Sequence, residues 1–220
     1  MFNPDRVADC RANFSLAPDV VVGGIVARVQ THRRFEVLLE ALGIVLREFP
    51  GFKFMIIGRG THIEQIAIKP SQNMGIRTNI IFTGYMKEDF AETLACLNFK
   101  IFLVPGSDGS CRAVREAMAM GKPVIVSRRG ILPELVEHEK HGLVIDDTAE
   151  NIAGAILYLV EHPEKREEMG RNARLKAQAC FDSRVQAANI ISIYEELLAR
   201  KARPRWYHVF TRRSGRTQQP

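Results

Sequence analysis

Residues 101–126 read IFLVPGSDGSCRAVREAMAMGKPVIV, and this stretch constrains the fold more than any other. Ile101 to Val104 is an apolar run of buried-strand length. Pro105, Gly106, Asp108 and Gly109 break it as a loop should, and Ser110 is a good N-cap for a helix over 111–120. Gly121 and Pro123 stop that helix, and Val124 to Val126 read as the next strand. A strand, a loop, a helix and a second strand in this order make one unit of a parallel sheet. In such sheets ligands lie beyond the carboxyl ends of the strands, where helix N-termini present free N–H groups. Gly109 permits close backbone approach, so the amides of Ser110, Cys111 and Arg112 can meet an anion. Asp108 in the loop and Glu116, eight residues on, are expected to face the same pocket, because helical side chains lean toward the N-terminus.

The rest of the chain repeats the alternation. Residues 1–19 lack a clear period: Phe2-Asn3-Pro4 reads as an extended lead-in, and Val7 to Phe14 as a short helix. Strands are expected at Val20 to Ala27, Phe54 to Ile57, Ile80 to Phe82 and Leu143 to Ile145. Phe35, Leu38, Leu39, Leu42, Val45, Leu46 and Phe49 keep helical spacing up to Pro50-Gly51. Thr61 starts a short helix ending at Ile68, residues 87–97 read as another, and Pro133 to Glu137 as a further short one. Ile152, Ile156, Leu159 and Val160 form a helical stripe ended by His162-Pro163. Glu164 to Ala179 is polar and helical, and Val185, Ala188, Ile191, Tyr194 and Leu198 form a last stripe. The expected fold is a doubly wound α/β parallel sheet of about six strands, with residues 1–19 as lead-in, 20–199 as the body and 200–220 as a tail.

The formal net charge of +6 belongs to that tail. Arg200 to Pro220 holds seven basic and no acidic residues, which leaves 24 basic and 25 acidic in the remaining 199. The body is therefore near neutral and does not call for nucleic acid. Trp206, Tyr207, Val209 and Phe210 give the tail the means to dock on a partner domain or an anionic membrane surface. There is no run of 18 apolar residues and no charged-then-apolar leader, so a cytoplasmic place is expected, with a peripheral contact at the inner face of the membrane open to it. Cys10, Cys96, Cys111 and Cys180 are scattered and read as reduced thiols. The six histidines show no metal spacing with an acid, so no metal site is expected.

Other strand ends carry candidate groups. Arg28 and Arg33 are five residues apart; most arginines are solvated surface cations, but two beside a strand end can hold a diphosphate. Gly58 and Gly60 make a tight turn, and Gly-x-Gly without a third glycine is a weak signal. Gly84 ends a strand, and Tyr85 either stacks on a ligand ring or packs, with packing preferred. No Gly-x-Ser-x-Gly and no P-loop is present, against a hydrolase elbow or an ATPase.

Asp108, seven residues, Glu116, Ala117-Met118-Ala119, Gly121 and Pro123-Val124 resemble the signature of the retaining glycosyltransferases of family 4 (group 1), in the C-terminal domain of a GT-B fold. The family's first acid is usually Glu, here Asp108. Arg28 and Arg33 match its Arg and Lys after the first strand, with Arg34 where it usually has Gly. The resemblance covers residues 2–199 and implies a nucleotide-sugar donor, UDP- or GDP-linked, with no cofactor and no metal. By resemblance Glu116 holds the ribose hydroxyls and Asp108 the donor sugar. Arg28 and Arg33 take the diphosphate, residues 110–112 the sugar or pyrophosphate, and Gly58, Gly60, Gly84 and Tyr85 border the nucleotide. The implied activity is transfer of a hexose-type sugar, as in the synthesis of cell-envelope polysaccharide or glycolipid. Phe2-Asn3-Pro4 resembles the interdomain linker, so an N-terminal acceptor-binding domain is expected as the missing partner and the chain alone is expected to be inactive. A non-catalytic nucleotide-sugar binding module and a GT-B-like epimerase remain as alternatives.

Overall fold

Among the described residues every strand runs parallel to its neighbours. The structure, a computed structural model, describes residues 2–8, 10–105 and 111–202. Its strands are β1 (Val22–Val26), β2 (Lys53–Ile57), β3 (Ile80–Gly84), β4 (Phe99–Phe102), β5 (Val124–Ser127) and β6 (Gly142–Ile145). Its helices are α1 (Phe35–Glu48), α2 (Lys69–Asn73), α3 (Phe90–Ala95), α4 (Arg112–Ala119), α5 (Leu132–Leu135), α6 (Ala149–Glu161), α7 (Pro163–Phe181) and α8 (Ser183–Ala202). The sheet order is β3-β2-β1-β4-β5-β6. This is the Rossmann order, and the doubly wound six-stranded α/β sheet expected above is the fold observed.

Alternate strand residues feed two layers. Ile25, Phe54, Ile56, Ile101 and Ile125 pack with α1 and α6. Phe102, Val124, Val126 and Val144 pack with α4, α5 and α7, and Val22, Met55 and Ile57 pack with the lead-in and α3. A sheet covered on both faces explains why its strands are continuous apolar runs without polar alternation.

Several boundaries differ from expectation for local reasons. Strand β4 starts at Phe99, two residues before the predicted Ile101, because Lys100 sits in its interior with full burial. The helix expected to stop at Ile68 continues as α2 through Pro70, after a wide π turn over Glu64–Ile68. That widening relieves the clash and the lost hydrogen bond that proline brings to a regular turn. The N-cap position of α4 is Cys111, not Ser110. Cys111 takes a left-handed conformation, φ 46°, and makes no side-chain capping bond. Asp108, Gly109 and Ser110 lie outside the described residues, as does the tail from 203 onward.

The lead-in is packed, not merely extended. It forms two 3-10 turns, Pro4–Arg6 and Arg11–Phe14, in place of the predicted helix. Arg11 pins it to the sheet, donating to the carbonyls of Val20 at 2.8 Å and Cys96 at 3.0 Å and to Asn98 Oδ1 at 2.8 Å. Cys10 and Cys96 pair as a disulfide, with Cα atoms 6.3 Å apart, which corrects their reading as separate thiols. Their separation of 86 residues hid a contact that only the fold creates.

The chain divides into two compact units, residues 1–181 and 182–220. The first holds the sheet. In the second, α8 exposes Ile191, Tyr194 and Leu198 of the predicted stripe. No helix among the described residues is long and apolar enough to cross a membrane.

Candidate functional site

The order of the sheet reverses between β1 and β4, and a parallel sheet opens a crevice at such a point. Here the crevice is a cleft of about 460 Å³ lined by Arg28, Arg33, Phe102, Cys111, Arg112 and Glu116, among others. Arg28 follows β1 and has no hydrogen bond or ion pair among the described residues. Arg33, in the 3-10 turn Thr31–Arg33, donates from Nη1 to the Val104 carbonyl at 2.8 Å; its Nε is buried without a partner. The guanidinium is thus anchored on one side and unspent on the other. Arg112 and Glu116 come from α4; Val114 N–H in its first turn donates to the Cys111 carbonyl at 2.8 Å, which leaves the amides of Arg112 and Ala113 without partners within the helix.

Three cations and one carboxylate therefore meet at one strand end. The Glu116 carboxylate accepts no hydrogen bond among the described residues. It is free to accept from two hydroxyls, while the arginines match an anion with several oxygens.

Two further clefts flank the first, and Arg28 lines all three. One, of about 530 Å³, brings Arg28 together with Ile57, Gly58, Arg59, Tyr85 and Phe90. The other, of about 570 Å³, holds Arg28, Gln30, Arg59, Gly60 and His62. Gly58 has φ 143°. A Cβ on Gly58 would overlap the Ala27 carbonyl oxygen, and one on Gly60 would overlap that of Val29. The two glycines let the β2 exit run against the β1 exit, which is how Arg28 and Arg59 come to line the same clefts. Tyr85 is 65% exposed with the Arg59 guanidinium 5.2 Å from its ring centre, so it does not pack into the body. Gly84 adopts φ 72° and lines none of these three clefts.

Arg34 explains a departure noted above. It takes φ 63°, a conformation that glycine adopts without cost. Its Nε lies 3.2 Å from Asp147 Oδ2 without hydrogen-bond alignment, and Arg129 pairs with the same carboxylate at 2.9 Å.

Sequence reasoning missed Lys100 and Arg59. Lys100 was hidden in an apolar run, where a charge reads as a strand boundary. Arg59 was passed over as the middle of a turn. Lys100 donates its ammonium to the carbonyl of Ala113, which lines the first cleft. Burial pulls its pKa down from the usual lysine range to about 7, opposed by the charges of Glu116 and Cys111.

The family model described as glycosyl transferases group 1 matches residues 13–176. Spore coat protein SA of Bacillus subtilis is 28% identical over 179 residues, 78% of this chain and 48% of that protein. A GDP-mannose-dependent alpha-(1-6)-phosphatidylinositol monomannoside mannosyltransferase of Mycobacterium tuberculosis is 29% identical over 186 residues, 79% of this chain and 47% of that protein. The chain thus spans about half the length of the curated relatives it matches. Among solved structures, Anabaena HepE in complex with UDP superposes with a TM-score of 0.75 at 24% identity, over 90% of this chain and 53% of that one. The C-terminal domain of the group 1 glycosyl transferase LpcC from Francisella tularensis superposes with a TM-score of 0.72 at 18% identity, over 83% of this chain and 96% of that domain.

Proposed function

Since this chain belongs to the family of group 1 glycosyl transferases, we propose that its switch-point cleft is the donor site of a retaining sugar transfer. The observation that carries this reading is the convergence of Arg28, Arg33, Arg112 and Glu116 in one cleft between β1 and β4. The donor is a nucleotide-sugar, UDP- or GDP-linked. Its diphosphate lies between Arg28 and Arg33, close to the α4 amides, and its ribose hydroxyls donate to Glu116. The base occupies the neighbouring cleft beside Gly58 and Tyr85, with Arg59 over the tyrosine ring. Asp108 would face the sugar; it lies outside the described residues.

When the bond from the sugar to the diphosphate breaks, negative charge builds on the leaving phosphate. Two guanidiniums lining that cleft stabilise that charge, which is the work a metal ion does elsewhere. A hexose-type sugar is the expected cargo, passed to an acceptor of the cell envelope on the cytoplasmic side, with a peripheral membrane contact through the basic tail. The acceptor would bind a second domain, supplied in cis or in trans, and transfer needs that domain to exclude water.

Calorimetry of the purified chain with UDP and GDP tests the donor site. One of the two should bind saturably, and Arg28→Ala should weaken it. Product analysis with labelled nucleotide-sugar then separates transfer from epimerisation and from binding alone. If neither nucleotide bound, the donor assignment would fail.

A further inference from the structure

Lys100 is the one lysine of the described residues with no solvent exposure at all. It stands in the middle of β4, flanked across the sheet by Gly24 of β1 and Val124 of β5, neither of which offers a charge. Its ammonium has a single hydrogen-bond acceptor among the described residues, the carbonyl of Ala113 in the first turn of α4. The Phe102 ring centre is 6.0 Å away. Ala113 and Phe102 both line the switch-point cleft, so the ammonium lies directly behind the cleft wall. The titratable groups that act on it are Glu116 of α4 and Cys111 at its cap, both also in the wall. Arg28, Arg33 and Arg112 line the cleft itself.

A buried ammonium is costly, and a hydrophobic residue at this strand position would pack more cheaply. The placement is nevertheless well suited to one task. A cation tied to the first turn of α4 fixes where that helix starts, and its field draws the Glu116 carboxylate toward the wall. We propose that Lys100 is a positioning residue of this cleft: it seats the start of α4 and Glu116, and it takes up a proton when an anionic group enters. The inference rests on the reading of the cleft as a nucleoside-diphosphate site. Its direction follows from linkage. An incoming diphosphate adds negative charge in front of the ammonium, which favours the charged lysine, so binding and protonation help each other. With a ligand-free pKa of about 7, Lys100 is mostly neutral at pH 8 and has a proton to gain.

The test uses the full chain with uridine diphosphate, or guanosine diphosphate if that is the one that binds. Between pH 7.5 and 9 the terminal phosphate is already ionised, its own second pKa being about 6. Calorimetry in buffers of different ionisation enthalpy should show proton uptake on binding. Affinity should fall as pH rises through this window, by at most about tenfold per unit. Lys100→Met, or Lys100→Gln should the methionine variant not fold, should remove both the uptake and the slope. Lys122→Met, at the other lysine of lowered pKa and outside the cleft lining, should keep them, which ties both effects to Lys100. An unchanged slope in the Lys100 variants would overturn the proposal.

A second measurement needs no ligand. The Lys100 side chain is titrated by NMR in the wild type and in Glu116→Gln. Removing the carboxylate should lower the midpoint, and an unmoved midpoint would overturn the coupling. If the chain bound no nucleoside diphosphate, the donor-site reading would fall, and this titration alone would decide whether Lys100 and Glu116 are coupled.

Discussion

The carbonyl oxygen of Ala27 occupies the space into which a side chain on Gly58 would project. The exits of β1 and β2 therefore touch through backbone alone, and Arg28 and Arg59 emerge side by side over the strand ends. Gly58 also holds φ 143°, which a residue with a Cβ rarely adopts. Gly58→Ala should cost roughly 1–3 kcal/mol of stability. Chemical denaturation would measure this; an unchanged midpoint would show that the two exits can part freely.

Glu116→Ala should weaken nucleoside-diphosphate binding by about 1–3 kcal/mol, the scale of hydrogen bonds to a charged group. Glu116 makes no hydrogen bond among the described residues, so the fold should be unaffected. Titration calorimetry paired with circular dichroism checks both halves. Unchanged affinity would remove Glu116 from the ligand.

Arg28→Ala should cost more affinity for a nucleoside diphosphate than for the bare nucleoside, since among the described residues the guanidinium has no structural partner to lose. Equal losses for the two ligands would mean that Arg28 shapes the clefts and does not meet phosphate.

At position 34 the order of variants is the test. Arg34→Ala keeps the strain of φ 63° and loses the Asp147 pair, whereas Arg34→Gly loses the pair but relaxes the backbone. The glycine variant should be the more stable of the two by about 1 kcal/mol in thermal unfolding. A less stable glycine variant would show that the loop does not need the left-handed conformation.

Two lysines predict how stability varies with pH. Burial lowers Lys100 to about 7 and Lys122, which holds the Ala95 carbonyl at 2.8 Å, to about 8, both from an ordinary 10.5. Each gives up its proton in the folded state before it does so in the unfolded one. Their penalty is therefore greatest below pH 7 and is relieved as pH rises from about 7 toward 10.5. Lys100→Met should raise stability at pH 7 by roughly 1–3 kcal/mol and flatten the rise above it. Urea denaturation at pH 7 and pH 9 reads the difference; parallel curves for wild type and variant would place Lys100 in a wetter environment than its burial indicates.

The alternation of strands and helices, and with it the Rossmann-like class, was legible in the chain because each element declares itself within a few residues. An apolar run, a cap, a glycine stop and a proline need no distant partner to be recognised. The stretch around Glu116, and Arg28 and Arg33 at their spacing, pointed to strand ends for the same reason. The left-handed turn at Arg34, by contrast, was marked only as an irregularity and became intelligible through its φ. What the tertiary structure decided are relations across long separations. The pairing of Cys10 with Cys96, the grip of Arg11 on Cys96 and Asn98, the approach of Gly58 to Ala27, and the seat of Lys100 under Ala113 all depend on which elements become neighbours. A buried lysine in an apolar run looks like an error until the fold supplies its acceptor. Local burial patterns are written in the order of the residues, whereas contacts between them exist only once sheet order and helix packing have brought distant segments together.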